Sequence, residues 1–74
     1  MLQPKALPHS VFRDAHKGVV FVIRLKTLDK AFKATLEVNG LDPVTYEDKS
    51  WADRDQLIID ISADAYGIIE KMNH

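Results

Sequence analysis

The chain has 74 residues, 46% of them hydrophobic and 28% charged, with a formal net charge of −1 at pH 7. This length admits one small domain, and this balance excludes wholesale disorder, a collagen-like repeat and an enzyme carrying its own cofactor domain. There is no cysteine, which rules out disulfides, thiolate zinc sites and thiol catalysis and makes a reducing, cytoplasmic setting the expected one.

The charge is unevenly spread. Residues 1–40 carry seven cations against three carboxylates, a net of +4, and residues 41–74 carry three against eight, a net of −5. Two halves of opposite sign attract each other on folding, and the same asymmetry suits a basic surface with an acidic cover. No run approaches the ~20 apolar residues of a membrane span. A domain this small buries only about 60% of its unfolded surface, so association with a partner chain or a second copy is one route to stability.

In chain order, residues 1–9 read as an arm, because Pro4 and Pro8 bias their neighbours towards extended conformations. Met1 to Pro8 hold one lysine and no apolar core, which does not fit a signal peptide. Residues 10–17 read as a two-turn helix. Ser10 would cap it, Val11, Phe12 and Ala15 would dock, His16 and Lys17 would sit in the last turn, and Gly18 would supply a left-handed cap.

Residues 19–26 and 31–38 are β-rich runs around Thr27-Leu28-Asp29-Lys30. Setting Lys26 opposite Ala31 pairs Leu25 with Phe32, Ile23 with Ala34, Phe21 with Leu36 and Val19 with Val38, all apolar. A one-residue slip would bring Lys33 or Glu37 onto that face. The opposite face then carries Val20, Val22, Arg24 and Lys26 against Glu37, Thr35, Lys33 and Ala31.

Asn39-Gly40 signals a type I′ hairpin turn and a third strand over residues 41–47, placed at an edge because Pro43 has no N–H. In that pairing Val44 and Tyr46 join the second face beside Thr35. Residues 51–72 admit two readings. Ser50 opens a capping box and Ile58, Ile61, Ala65, Ile68 and Met72 keep helical spacing, which fits one helix. The β-branched isoleucines at 58, 59 and 61, with Asp60, Ser62, Asp64 and Gly67, favour a strand over 56–61 followed by a helix over 63–72 capped by Ser62. The second reading is preferred. The expected fold is α+β: an antiparallel sheet of three to four strands, a short N-terminal helix, and a C-terminal helix packed on one face.

No constellation for chemistry stands out. Ser10, Asp14 and His16 are close in sequence but lack a nucleophile turn, and Ser10 is better read as a cap. His9, His16 and His74 have no metal-ligand spacing. Asp53 and Asp55 match only the first two positions of an EF-hand loop, which then fails at Leu57, Ile58 and Asp64. The glycines at 18, 40 and 67 are isolated, so no phosphate loop exists. Neither a catalytic residue, a cofactor, a metal nor a small-molecule substrate is expected.

The second sheet face is the informative feature. Val20, Val22, Val44 and Tyr46 would form an apolar centre with Arg24, Lys26, Lys33 and Glu37 around it, which is the anatomy of an interface. The expected function is a non-catalytic protein-binding or regulatory module using Val20, Val22, Arg24, Lys33, Val44 and Tyr46, with a partner protein or a second copy as ligand. The alternative is a nucleic-acid-binding regulator in which Arg24, Lys26 and Lys33 meet phosphates and Tyr46 stacks on a base.

Overall fold

The computed structural model describes residues 11–72. They form a four-stranded antiparallel sheet in the order β1 (Val11–His16), β2 (Val19–Leu28), β3 (Ala31–Val38), β4 (Val44–Thr45), followed by a single helix, α1 (Arg54–Met72). The fold is α+β, as the patterning implied. The expected arm over residues 1–9 lies outside the described residues.

Ser10, the expected cap, lies outside the described residues, and the rest of the N-terminal helix expected over residues 10–17 is replaced by β1 and the turn after it. Val11 pairs with Arg24 and His16 with Val19, so Phe12 falls opposite Ile23 and packs against the core. Gly18 does take a left-handed conformation, at φ 81°, but with Lys17 at φ 51° it forms a two-residue hairpin turn instead of closing a helix. Two positive φ values in succession suit the twist of the flanking strands.

The β2–β3 hairpin keeps the expected faces and shifts the register. Leu25 lies opposite Ala34, Ile23 opposite Leu36 and Phe21 opposite Val38. Each partner is displaced by two residues from the expected pairing. Asp29 (φ 52°) and Lys30 (φ 66°) make the whole turn by themselves, so Leu28 pairs with Ala31. A slip of two preserves the side of every residue, and the same six apolar residues still share one buried face.

Gly40 has the positive φ expected of it, 91°, and the Leu41 amide donates to the Val38 carbonyl at 2.9 Å. Asn39 stays out of the positive-φ region, so this is not the type I′ turn that Asn-Gly suggested. Five residues, 39–43, separate β3 from β4, and Leu36 pairs with Val44 across them. A loop this long has no need of the tight mirror-image turn. The strand itself shrinks to Val44–Thr45, on the edge where Pro43 put it.

After β4 the chain leaves the sheet and returns once. Tyr46 N donates to Ala34 O at 3.4 Å, and Phe32 and Trp51 then exchange both backbone hydrogen bonds, at 2.7 and 3.0 Å. Residues 47–50 thus loop out opposite Lys33 alone. The Lys33 ammonium holds them there, donating to the carbonyls of Glu47 (2.8 Å) and Lys49 (2.9 Å).

Residues 54–72 are one helix, which overturns the strand-plus-helix reading. Leu57, Ile61, Ala65 and Ile69 recur every fourth residue and are fully buried against Phe21, Ile23 and Leu36. Burying the leucine and isoleucine side chains among them is worth roughly 1.5–3 kcal/mol each, against a propensity cost of at most ~0.7 kcal/mol per β-branched residue. Asp53 caps the helix in place of Ser50. Its carboxylate accepts from the Gln56 amide at 3.2 Å, and the Leu57 amide donates to its carbonyl at 3.1 Å.

Candidate functional site: the open face of the sheet

The helix covers one side of the sheet, and no described element crosses the other. Strand register assigns this open face directly, because paired residues share a side. One row runs Arg13, Val22, Glu37; the next runs Val11, Arg24, Thr35, Thr45; Ala15–Val20 and Lys26–Lys33 lie at the two ends. Val20 and Val22 are half-buried by their neighbours within the sheet.

The face has two ends of different character. Around Val20 and Val22 lies an open hollow of about 590 Å³, bordered by Arg13, Glu37, Leu41 and Pro43. Towards the other end, Arg24, Lys26, Lys33, Thr35 and Thr45 line a second hollow of about 390 Å³, which Tyr46 and Glu47 also border. The Arg24 guanidinium donates from Nε to Glu37 Oε2 at 2.9 Å, which occupies the one carboxylate among the strand residues of this face.

Five residues singled out in the sequence do come together here: Val20, Val22, Arg24, Lys26 and Lys33. Two do not. Val44 pairs with Leu36, and Tyr46 sits opposite Ala34, so both turn towards the helix side. Their expected placement on the open face depended on a longer third strand in a different register. Tyr46 instead packs against the core, meets Trp51 edge-on at 6.0 Å, and donates its phenol to Asp64 Oδ2 at 2.9 Å. Partial burial, then the Asp64 carboxylate, raise its pKa above the usual phenol value.

Arg13 and Val11 belong to this face and were missed because residues 10–17 read as helical. Their only sequence signal was the alternation of Val11, Arg13 and Ala15 with Phe12, Asp14 and His16.

The helix side carries its own polar fastenings. Asp60 accepts from the Trp51 indole and from the Gln56 side-chain amide, both at 2.9 Å, and those two bonds, the indole first, hold its carboxyl below the usual range. Glu70 accepts from the Lys17 ammonium and meets the His16 ring nitrogen, both at 2.9 Å, and its pKa is lowered by Lys17 first and then by His16. This clamp joins the β1–β2 turn to the end of α1, and the His16 ring also lies 4.5 Å from that of Tyr66. His16 is therefore engaged with the helix, while the Asp14 carboxylate accepts from the Ala15 amide at 2.8 Å.

Among the described residues no three His, Cys, Asp or Glu side chains gather as metal ligands, and no helix is long and apolar enough to cross a membrane. Comparison with protein-family models, with curated proteins and with solved structures returns no match.

Proposed function

We propose that this chain is a non-catalytic protein-binding module that regulates or assembles with a partner by docking it on the open face of the sheet. The observation that carries this reading is the position of Val20 and Val22. They lie on a central strand, beside a hollow of about 590 Å³, on a side that no described element covers. A solvated sheet face ordinarily alternates to polar residues, and an apolar centre with a charged border is what a partner surface needs.

Nucleic-acid binding by Arg24, Lys26 and Lys33 is the second reading, and the geometry supports it less. Tyr46 borders the hollow of the cationic residues but packs against the core with its phenol held by Asp64, Trp51 packs on the helix side, and Lys33 is spent on two loop carbonyls.

Val20→Thr/Val22→Thr tests the docking reading, because threonine keeps β-branching while removing apolar surface. The variant should fold and should lose the partner that the wild-type chain captures from its source cell. Equal capture by both proteins would move the binding surface elsewhere.

A further inference from the structure

We infer that the partner of the open face is an acidic polypeptide segment, which places carboxylates on Arg13 and Lys26 and an apolar side chain over the exposed Val11 between them. This rests on the docking reading above and specifies the chemistry of the ligand. The strand residues of this face comprise Arg13, Arg24, Lys26 and Lys33 against Glu37, and Glu47 adds a second carboxylate at the border of the smaller hollow. Arg24 is neutralised by Glu37, and Lys33 donates to Glu47 and Lys49 carbonyls. Arg13 and Lys26 are left with no ion-pair partner among the described residues.

Those two cations bracket the row of Val11 and Arg24, with Val22 level with Arg13. Arg13 lies beside Val22, and Lys26 is four residues further along β2, so their Cα atoms are about 14 Å apart at ~3.4 Å per residue. An extended chain with acidic residues at positions i and i+4 and an apolar residue at i+2 matches that spacing on one of its sides.

The rival occupants fit less well. Two open faces stacked on each other would set the same excess of cations against itself. The helix exterior of a second copy offers carboxylates, but Asp60, Asp64 and Glu70 already accept hydrogen bonds from Trp51 and Gln56, from Tyr46, and from Lys17. A nucleic-acid strand would find one ring bordering the face, Tyr46, which packs against the core and is held by Asp64.

The test is an NMR titration of the isotope-labelled full chain with three capped peptides: Thr-Glu-Thr-Val-Thr-Glu-Thr, the same peptide with glutamine for glutamate, and the same with lysine. A thymidine oligonucleotide is the fourth probe. The acidic peptide should shift the amides of Arg13, Val20, Val22 and Lys26, binding about fivefold or more tightly than the glutamine peptide at low salt, as two exposed ion pairs would give. Arg13→Glu/Lys26→Glu should reverse the preference in favour of the lysine peptide. Equal binding of the acidic and glutamine peptides to this face would overturn the acidic partner and leave the docking reading standing. No perturbation by any peptide would overturn both. Stronger shifts of the same amides by the oligonucleotide would replace the polypeptide with a nucleic acid. Lys33 is left unmutated throughout, since it holds the loop over residues 47–50.

Discussion

The phenol of Tyr46 donates to Asp64 at 2.9 Å, and this contact ties the edge of the sheet to the middle of the helix. A ring that would have been the natural anchor of an interface is instead part of the packing between layers. Its neighbour Trp51 is held the same way by Asp60, so both large aromatics of the edge segment are fastened to α1 through carboxylates.

Tyr46→Ala should therefore act on stability and not on binding. Removing a half-buried ring that packs on the core should cost about 2–3 kcal/mol, somewhat below the figure for a fully buried aromatic. Tyr46→Phe should cost about 0.5–1.5 kcal/mol, the value of one hydrogen bond. Denaturant unfolding measures both. Amide shifts of Val20 and Val22 that moved in either variant as much as those of the helix would contradict the placement of Tyr46.

Phe21 is fully buried near the start of β2 and meets the Tyr66 ring edge-on at 5.9 Å. Phe21→Ala should cost about 3–5 kcal/mol. A domain of this size has only a few kcal/mol in total, so the variant should be largely unfolded at room temperature by circular dichroism. A cooperative melt close to that of the wild type would show that the core is built on other residues.

The sheet was legible in the sequence to the level of faces. Period-two alternation put Phe21, Ile23, Leu25, Ala34, Leu36 and Val38 on one side, and that side is the buried one. Alternation is blind to a slip of two, and only the turn decides it. Here the tight turns fall at Lys17-Gly18 and Asp29-Lys30, neither an obvious mirror-image pair, whereas Asn39-Gly40 opens a longer loop. The helix was misjudged because Ile58, Ile59 and Ile61 weigh locally towards a strand, while the stripe of Leu57, Ile61, Ala65 and Ile69 gains its energy only against the sheet. The candidate site followed the same rule. Its β2 and β3 residues were found from alternation, and its β1 residues were lost because Ser10 and Gly18 resemble helix boundaries.

The β2–β3 turn offers a stabilising substitution. Asp29 and Lys30 both hold positive φ, a region that aspartate tolerates better than most residues but that disfavours lysine, and that glycine and asparagine adopt most readily. Replacing them together, Asp29→Asn and Lys30→Gly, supplies the residues a type I′ turn prefers. The gain should be about 1 kcal/mol, seen as a higher denaturation midpoint with an unchanged slope. A loss of stability would mean that the hairpin closes through a different turn and that the β2–β3 register is wrong.

The final prediction concerns pH. Asp60 and Glu70 both have folded-state pKa values below their ordinary values of 3.8 and 4.5. Between each folded value and the ordinary one, the unfolded chain binds a proton that the folded chain does not, so stability falls as pH falls through that window. It is fully present above the ordinary value. Tyr46 has the opposite sign: its raised pKa makes the folded state hold a proton that the unfolded chain releases, so stability falls as pH rises beyond the ordinary phenol value of 10.0. The melting temperature should therefore be flat near neutrality, drop as acid brings the pH below about 4.5, and drop again in strong alkali. Glu70→Gln should flatten part of the acid limb, because the glutamine cannot be protonated away from Lys17 and His16. Tyr46→Phe should flatten part of the alkaline limb in the same way. Acid limbs that superimpose for Glu70→Gln and wild type, once normalised to neutral pH, would show that the clamp between the β1–β2 turn and the end of the helix contributes nothing to acid sensitivity.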